Sequence, residues 1–461
     1  MAEKSTLLSP PEVGRRSVRQ TAALPCEPSR PAFASRDDAA EQPADSPPRS
    51  GGPWLDRLAR QAVWRRLESL QDGCVTIVDG GQTREFGQAT EGELRATIRV
   101  HDPRFYRYTV AGGHLGASEA FLRGEWSCDD LVSLIRIFGR NAAVLSDVER
   151  GVARLLKPLQ VVAHRLRRNT RSGSRRNIAA HYDLSNEFYA LFLDDTMTYS
   201  CGIFPRPDAT LREASLEKYE RICRKLQLSP RDHVIEVGGG WGGFALYAAG
   251  RYGCRVTTTT ISEQQYQWAS ARIREAGLSD RITLLKQDYR DLQGQFDKLV
   301  SIEMIEAVGH EYLPAYFTKC CQLLKPDGMM LLQAITIPDE RYDAYRRSAD
   351  FIQRYIFPGG CLPSLSAISQ SLKRTDFRLF HLEDFGPHYA RTLLAWRQRF
   401  WDSVDRVRAL GMSEPFVRMW EMYLCYCAGA FAERQIGVSQ ILLTKPRCRR
   451  EAILGTLPGI G

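Results

Sequence analysis

The stretch "DHVIEVGGGWGGFALYAAGRYG", residues 232–253, restricts the fold more than any other part of the chain. A short β-branched run ends in a cluster of glycines, and a helical apolar pattern follows until Gly253 stops it. A strand that passes into a helix through a sharp glycine turn is the opening unit of a parallel α/β sheet. The alternation then continues. "CRVTTTTIS" reads as a strand, "EQQYQWASARIREAGL" as a helix, and "RITLLKQD", "FDKLVSIEMI" and "DGMMLLQAIT" as further strands. Right-handed crossovers and a mostly parallel, Rossmann-like sheet covered on both faces follow. A ligand of such a sheet belongs at the carboxyl ends of its strands, beside the first turn.

That turn fits two templates. Gly238, Gly240 and Gly243 match G-x-G-x-x-G, and Gly238, Gly240 and Gly242 with Glu236 match E-x-G-x-G-x-G. The bland reading is a tight turn with no ligand, because glycine serves sharp turns anywhere. A dinucleotide needs backbone N–H groups aimed at a pyrophosphate, and an acidic residue at 236 is badly placed beside one. S-adenosylmethionine has no phosphate, and Glu236 suits its ammonium and sulfonium. Downstream, "KQDYRDL" offers Asp288 to adenine N6 and Tyr289 for stacking. The methyl-donor reading therefore predicts a class I methyltransferase domain.

Residues 1–52 are rich in Pro, Ser and Ala and read as a disordered tail. A smaller α+β domain is predicted over 53–150, with lipid binding as one reading of its role. It opens on a helix at Trp54, then two strands about an Asp-Gly-Gly turn, further strand through "LRATIRVHDPRFYRYTV", and a turn and helix up to Phe138. Residues 177–445 form the methyltransferase domain and 446–461 a terminal tail. The net charge of +9 is concentrated: Arg154–Arg176 holds eight basic residues and no acidic one. This segment, 151–176, reads as a solvated linker or as an amphipathic element facing an anionic surface. No apolar run reaches the length of a membrane span, no signal-peptide core opens the chain, and the twelve cysteines lack metal spacing. A cytoplasmic protein without a metal is the expectation.

Five further stretches carry a resemblance. "HYDLSNEFYALFLDDTMTYSCGIF", "SIEMIEAVGHEY", "DFIQRYIFPGGCLPS", "GPHYARTLLAW" and "CAGAF" stand in that order from residue 181 to 431. Together they resemble the cyclopropane-fatty-acyl-phospholipid synthases and the related mycolic acid cyclopropane synthases, over about residues 54–445. The resemblance implies methyl transfer from S-adenosylmethionine to a cis double bond of a phospholipid acyl chain. A carbocation forms, and loss of a proton closes the ring. It also implies a bound bicarbonate as the base, held in a cup of Cys201, Glu306, the Ile335 backbone and Tyr389. Gln333 stands where many bacterial members have His, as it does in the plant-type enzymes; Gln can donate a hydrogen bond but cannot relay a proton. Cys427 of "CAGAF" is treated as an active-site residue in the family, although the alkene is the nucleophile and buried packing suffices to explain a thiol there.

For the cofactor, the resemblance implies Tyr199 and Ser200 at the methionine end with Gly238 and Gly240. Thr260 and Gln265 stand at the ribose, and His181 and Tyr182 in a covering segment. A cation needs π faces around it. Tyr199, Phe204, Tyr355, Phe357 and Tyr389 are candidates, with core packing as the alternative for each. The expected partner is unsaturated phospholipid at the inner face of the membrane, with no nucleic acid. Oligomeric state stays open, a homodimer included. Two competing outcomes remain: a methyl-branched product from the same cation, and an inactive lipid-binding protein on the same fold.

Overall fold

The computed structural model describes residues 54–88, 94–142 and 184–455. The tail 1–52, the basic segment Arg154–Arg176, His181 and Tyr182 lie outside the described residues.

Seven strands form the larger sheet, in the order β10-β11-β9-β8-β5-β6-β7. They are β5 (His233–Val237), β6 (Arg255–Thr260), β7 (Ile282–Lys286), β8 (Phe296–Ile302), β9 (Leu324–Thr336), β10 (Arg378–Asp384) and β11 (Gly437–Thr444). The five strands β5–β9 pair in parallel, and β11 runs antiparallel between β9 and β10. Register is tight at the centre, where Ile235 faces Leu299 and Leu299 faces Met330, all buried. Continuous apolar runs such as "LVSI" and "MMLLQAI" follow from burial on both faces. The class I methyltransferase architecture read from the alternation is the one observed.

The strand-to-helix turn after β5 is built on left-handed glycines. Gly238, Gly240 and Gly242 have φ of 85°, 53° and 84°. The helix Gly243–Tyr252 starts with no side-chain cap and ends on Gly253, also left-handed. In contrast, the helix Leu211–Leu226 carries a full capping box between Thr210 and Glu213.

The N-terminal part forms a four-stranded sheet of order β2-β1-β3-β4: β1 (Gly73–Asp79), β2 (Gln82–Gln88), β3 (Arg95–Val100) and β4 (Trp126–Cys128). The predicted hairpin about Gly80 and Gly81 is present. The strand predicted to continue through residue 110 is not. It stops at Val100, and a helix runs Arg104–Leu122 with a kink at Gly113. Pro103 opens that helix and the Asp102 carboxylate accepts the Arg104 N–H at 2.8 Å. Adjacent Phe105 and Tyr106 are both buried, which a half-exposed strand does not allow. The helix Leu131–Arg140 lies beside the long helix Glu414–Ala432, and Arg136 and Arg140 both pair with Glu433.

Candidate active site

A cavity of about 560 Å³ opens at the carboxyl ends of β5, β6, β8 and β9. Its size falls within the range of small-molecule sites. One end is formed by Gly238, Gly239, Gly240, Thr260, Gln265 and Asp288. The same cavity is lined by Glu303, Glu306 and Tyr389 and by Ile135 and Phe138 of the helix Leu131–Arg140.

At the glycine end, Glu236 is fully enclosed, and its Oε2 accepts the Thr258 hydroxyl at 2.6 Å. Burial pushes its carboxyl up to about 7. A Cβ at Gly240 would meet no protein atom within 4 Å, so any side chain there projects into the cavity. Gly242 behaves differently. It does not line the cavity, and its Cβ would lie 3.2 Å from that of Ala269. It is a packing glycine between two helices rather than part of the ligand wall. Thr260 donates to Gln265 Oε1 at 2.8 Å, so these two reach the cavity as a linked pair. Asp288 lines the cavity while its two oxygens accept from the Arg290 guanidinium at 2.8 and 2.6 Å. Tyr289 also lines it and packs edge-on against Tyr316. Tyr199 and Ser200 lie on the wall, and Ser200 Oγ accepts from the buried Lys218 Nζ at 2.6 Å. Burial pulls the Lys218 ammonium down to about 8, against the pull of Glu303.

The middle of the cavity is aromatic. Tyr199 and Tyr423 share a hydroxyl–hydroxyl hydrogen bond of 2.9 Å. Tyr389 stacks on Phe431 with ring centroids 4.4 Å apart. Phe357 completes this wall. Of the five aromatics read from sequence, Tyr199, Phe357 and Tyr389 line the cavity. Phe204 and Tyr355 do not: Phe204 is held by His388 and Arg391, and Tyr355 donates to Glu119 at 2.8 Å. Cys427 lines the cavity, with its thiol pushed up by burial.

Two carboxylates meet here. Glu306 Oε1 accepts the Ile335 N–H at 2.6 Å, and among the described residues Glu306 Oε2 is buried without a hydrogen-bond partner. Desolvation, then repulsion from Glu303, pushes its carboxyl up to about 8. Glu303 was not anticipated from the sequence. Its Oε2 accepts the Tyr389 hydroxyl at 2.6 Å, and its Oε1 accepts Gln333 Nε2 at 2.8 Å and the Cys201 N–H at 3.0 Å. Tyr389 and Cys201 of the expected bicarbonate cup, together with Gln333, thus converge on a protein carboxylate. Cys201 takes part through its backbone, while its thiol donates to the Gly202 carbonyl at 3.2 Å. Neither Cys201 nor Gln333 lines the cavity; both stand behind Glu303.

A parallel sheet with a left-handed glycine turn, an enclosed acid two residues before it and an aromatic cavity define a class I S-adenosylmethionine-dependent methyltransferase. The sequence profile of mycolic acid cyclopropane synthetases matches residues 169–441, and the chain belongs to that family. It is 39% identical over 345 residues to a tuberculostearic acid methyltransferase of Mycobacterium tuberculosis, covering 72% of this chain and 79% of that protein. It is 37% identical over 361 residues to the cyclopropane-fatty-acyl-phospholipid synthase of Escherichia coli, covering 78% and 90%. Among solved structures, mycolic acid cyclopropane synthase CmaA1 complexed with SAH and CTAB matches with a TM-score of 0.56 and 34% identity, over 59% of this chain and 98% of that one. The protein is thus a methyltransferase of a lipid-modifying family.

Proposed function

We propose that the protein transfers a methyl group to a cis double bond in a phospholipid acyl chain and closes a cyclopropane ring. The observation behind this reading is that one cavity is lined by the glycine turn, by aromatic rings and by apolar residues of the helix Leu131–Arg140. S-adenosylmethionine, when bound, supplies an electrophilic sulfonium methyl. The residues present fit it: Gly238 and Gly240 allow close backbone approach, Glu236 answers its ammonium end, and Thr260, Gln265, Asp288 and Tyr289 serve ribose and adenine. Tyr199, Phe357, Tyr389, Tyr423 and Phe431 turn a largely apolar, water-poor wall toward the acyl chain and favour a developing cation.

Bicarbonate, by contrast, does not fit the cup as it stands. Tyr389, Gln333 and the Cys201 N–H are engaged by Glu303, and the Ile335 N–H by Glu306. No step is routed through it.

The test is incubation with vesicles of unsaturated phospholipid and methyl-labelled S-adenosylmethionine, followed by fatty-acid analysis. Label in a product heavier by one CH2 supports the reading, and unlabelled lipid overturns it. A second reading, a methyl-branched product of the same cation, draws on 40% identity over 357 residues to a probable fatty acid methyltransferase of Pseudomonas putida. Chromatography against cyclopropyl and branched standards separates the two.

Work at a bilayer requires docking. Among the described residues no helix is long and apolar enough to cross a membrane. The basic segment Arg154–Arg176 is the proposed contact with an anionic inner face, at about 1 kcal/mol per engaged residue. Sedimentation with anionic vesicles should weaken when Arg165, Arg167, Arg168, Arg175 and Arg176 are changed to Gln. A homodimer is compatible with this reading, and light scattering in solution decides it.

A further inference from the structure

Glu303 follows the last residue of β8, at the end of the sheet where the cavity opens, and it lines that cavity. Its backbone N–H is pinned to the Gln333 carbonyl on β9 at 2.8 Å. It is one of four non-glycine residues with left-handed φ among those described, at 48°. A bulky residue held there is uncommon and carries a local energetic cost, and such outliers gather at functional sites. The surrounding contacts fix the carboxylate. Oε2 accepts from Tyr389, and Oε1 accepts from Gln333 and from the Cys201 N–H. A carboxyl group that accepts three hydrogen bonds is favoured in its ionised form. Burial outweighs them and leaves the carboxyl above its ordinary value, a basic acceptor, while the Tyr389 hydrogen bond and the buried Lys218 ammonium oppose that rise.

The family resemblance places Tyr389 and Cys201 around an external anion, with Gln333 beside them. The geometry gives them to the protein's own side chain. Resting on the methyl-transfer reading above, we propose that Glu303 is the base of this reaction and that the enzyme works without bicarbonate. In the step, the π electrons of the lipid double bond form a bond to the sulfonium methyl carbon, and the broken S–C pair stays on sulfur. The positive charge moves to the neighbouring alkene carbon. A C–H bond of the new methyl then gives its electron pair to that carbon, closing the ring, and its proton passes to a Glu303 oxygen. The carboxylate becomes a neutral acid, and no other reactant is consumed. Glu306, with Oε2 buried and unpartnered, stands in the same cavity as this base.

The test uses the full chain with methyl-labelled S-adenosylmethionine and unsaturated phospholipid vesicles, in buffer freed of carbon dioxide under argon and in the same buffer with bicarbonate added. Turnover is expected to agree within about twofold between the two. Glu303→Gln should lower kcat on the order of 10²-fold or more, as for positioned acid–base groups, with little change in cofactor affinity. Glu303→Gly suits the left-handed backbone and opens the cup, and circular dichroism confirms that the variant folds before it is assayed. This variant should be inactive in depleted buffer and regain activity when bicarbonate or formate is supplied. Loss of parent activity on bicarbonate removal, restored by adding it back, overturns the proposal, as does a Glu303→Gln variant within tenfold of the parent. A parent that labels no lipid in either buffer removes the methyl-transfer reading itself, and the base with it.

Discussion

Tyr389 donates its phenolic hydrogen to Glu303 Oε2 across 2.6 Å, joining the helix Gly386–Asp402 to the end of β8. The ring is buried and stacked on Phe431, so the hydroxyl cannot swing away to water. Tyr389→Phe keeps the ring and removes only this donor. A buried charged acceptor that loses a partner costs about 1–3 kcal/mol. Turnover should fall roughly 10- to 100-fold while the Kd for S-adenosylmethionine stays within about threefold. Steady-state kinetics beside calorimetry checks the split, and a Kd that rises with kcat unchanged would move Tyr389 out of the chemistry.

The glycine turn yields a paired expectation. Gly240→Val places a branched side chain into the cavity, where no protein atom stands within 4 Å of its Cβ. Cofactor binding should be lost, and the left-handed φ of 53° makes the branched residue lower the melting temperature as well. Gly242→Ala adds a Cβ 3.2 Å from that of Ala269, at a φ of 84°. It should lower stability by about 1–2 kcal/mol, through strain and overpacking, and spare the affinity of whatever remains folded. Thermal melts and calorimetry on both variants separate the ligand wall from the packing glycine.

These contrasts show what could be read from the chain. The five strands and the first two helices of residues 233–336 were legible because their periodicities differ sharply and glycines punctuate them, whereas the helix Leu313–Gln322 was not read and the "FDKLVSIEMI" strand stops at Ile302. Residues 104–110 were not, since "RFYRYTV" alternates like a strand and Pro103, which starts the helix, looks like a turn. Gly240 and Gly242 are one residue type two positions apart, and only the fold distinguishes cavity from helix contact. Glu303 was invisible for a related reason. In "SIEMIEAV" two acids stand three apart, and sequence gives no sign that one holds a left-handed backbone. Its donors come from positions 201, 333 and 389, which only the closed sheet brings together.

Glu236 makes cofactor affinity a function of pH. Burial raises its carboxyl to about 7, so near neutrality a substantial fraction carries a proton. The proposed contact with the cofactor's ammonium requires the carboxylate. As pH falls below about 7, binding must displace a proton, and affinity should weaken by up to about tenfold per pH unit. Above about 8 it should be flat. Calorimetry at pH 6, 7 and 8 in buffers of different ionisation enthalpy reports both the affinity and the proton released. Glu236→Gln should bind weakly at every pH. An unchanged slope in that variant would assign the titration elsewhere.

Glu306 sets stability against activity. Its carboxyl lies near 8 in the fold, above the ordinary carboxylate value of 4.5, because it is buried beside Glu303. The folded state therefore holds this proton more tightly than the unfolded chain. The resulting stabilisation is fully present below about pH 4.5 and is lost as pH rises toward 8, by up to about 1.4 kcal/mol per pH unit. Glu306→Gln replaces the acid with a neutral group whose carbonyl can still accept the Ile335 N–H. The melting temperature of the variant relative to the parent should climb from pH 5 to about pH 8 and level off by pH 9. Turnover should instead fall on the order of 10²-fold, since an amide can neither give up nor take back a proton beside the reacting groups. A series of melts across that range, with product assays on the same samples, tests both halves. A flat difference in melting temperature would mean that Glu306 is ionised throughout.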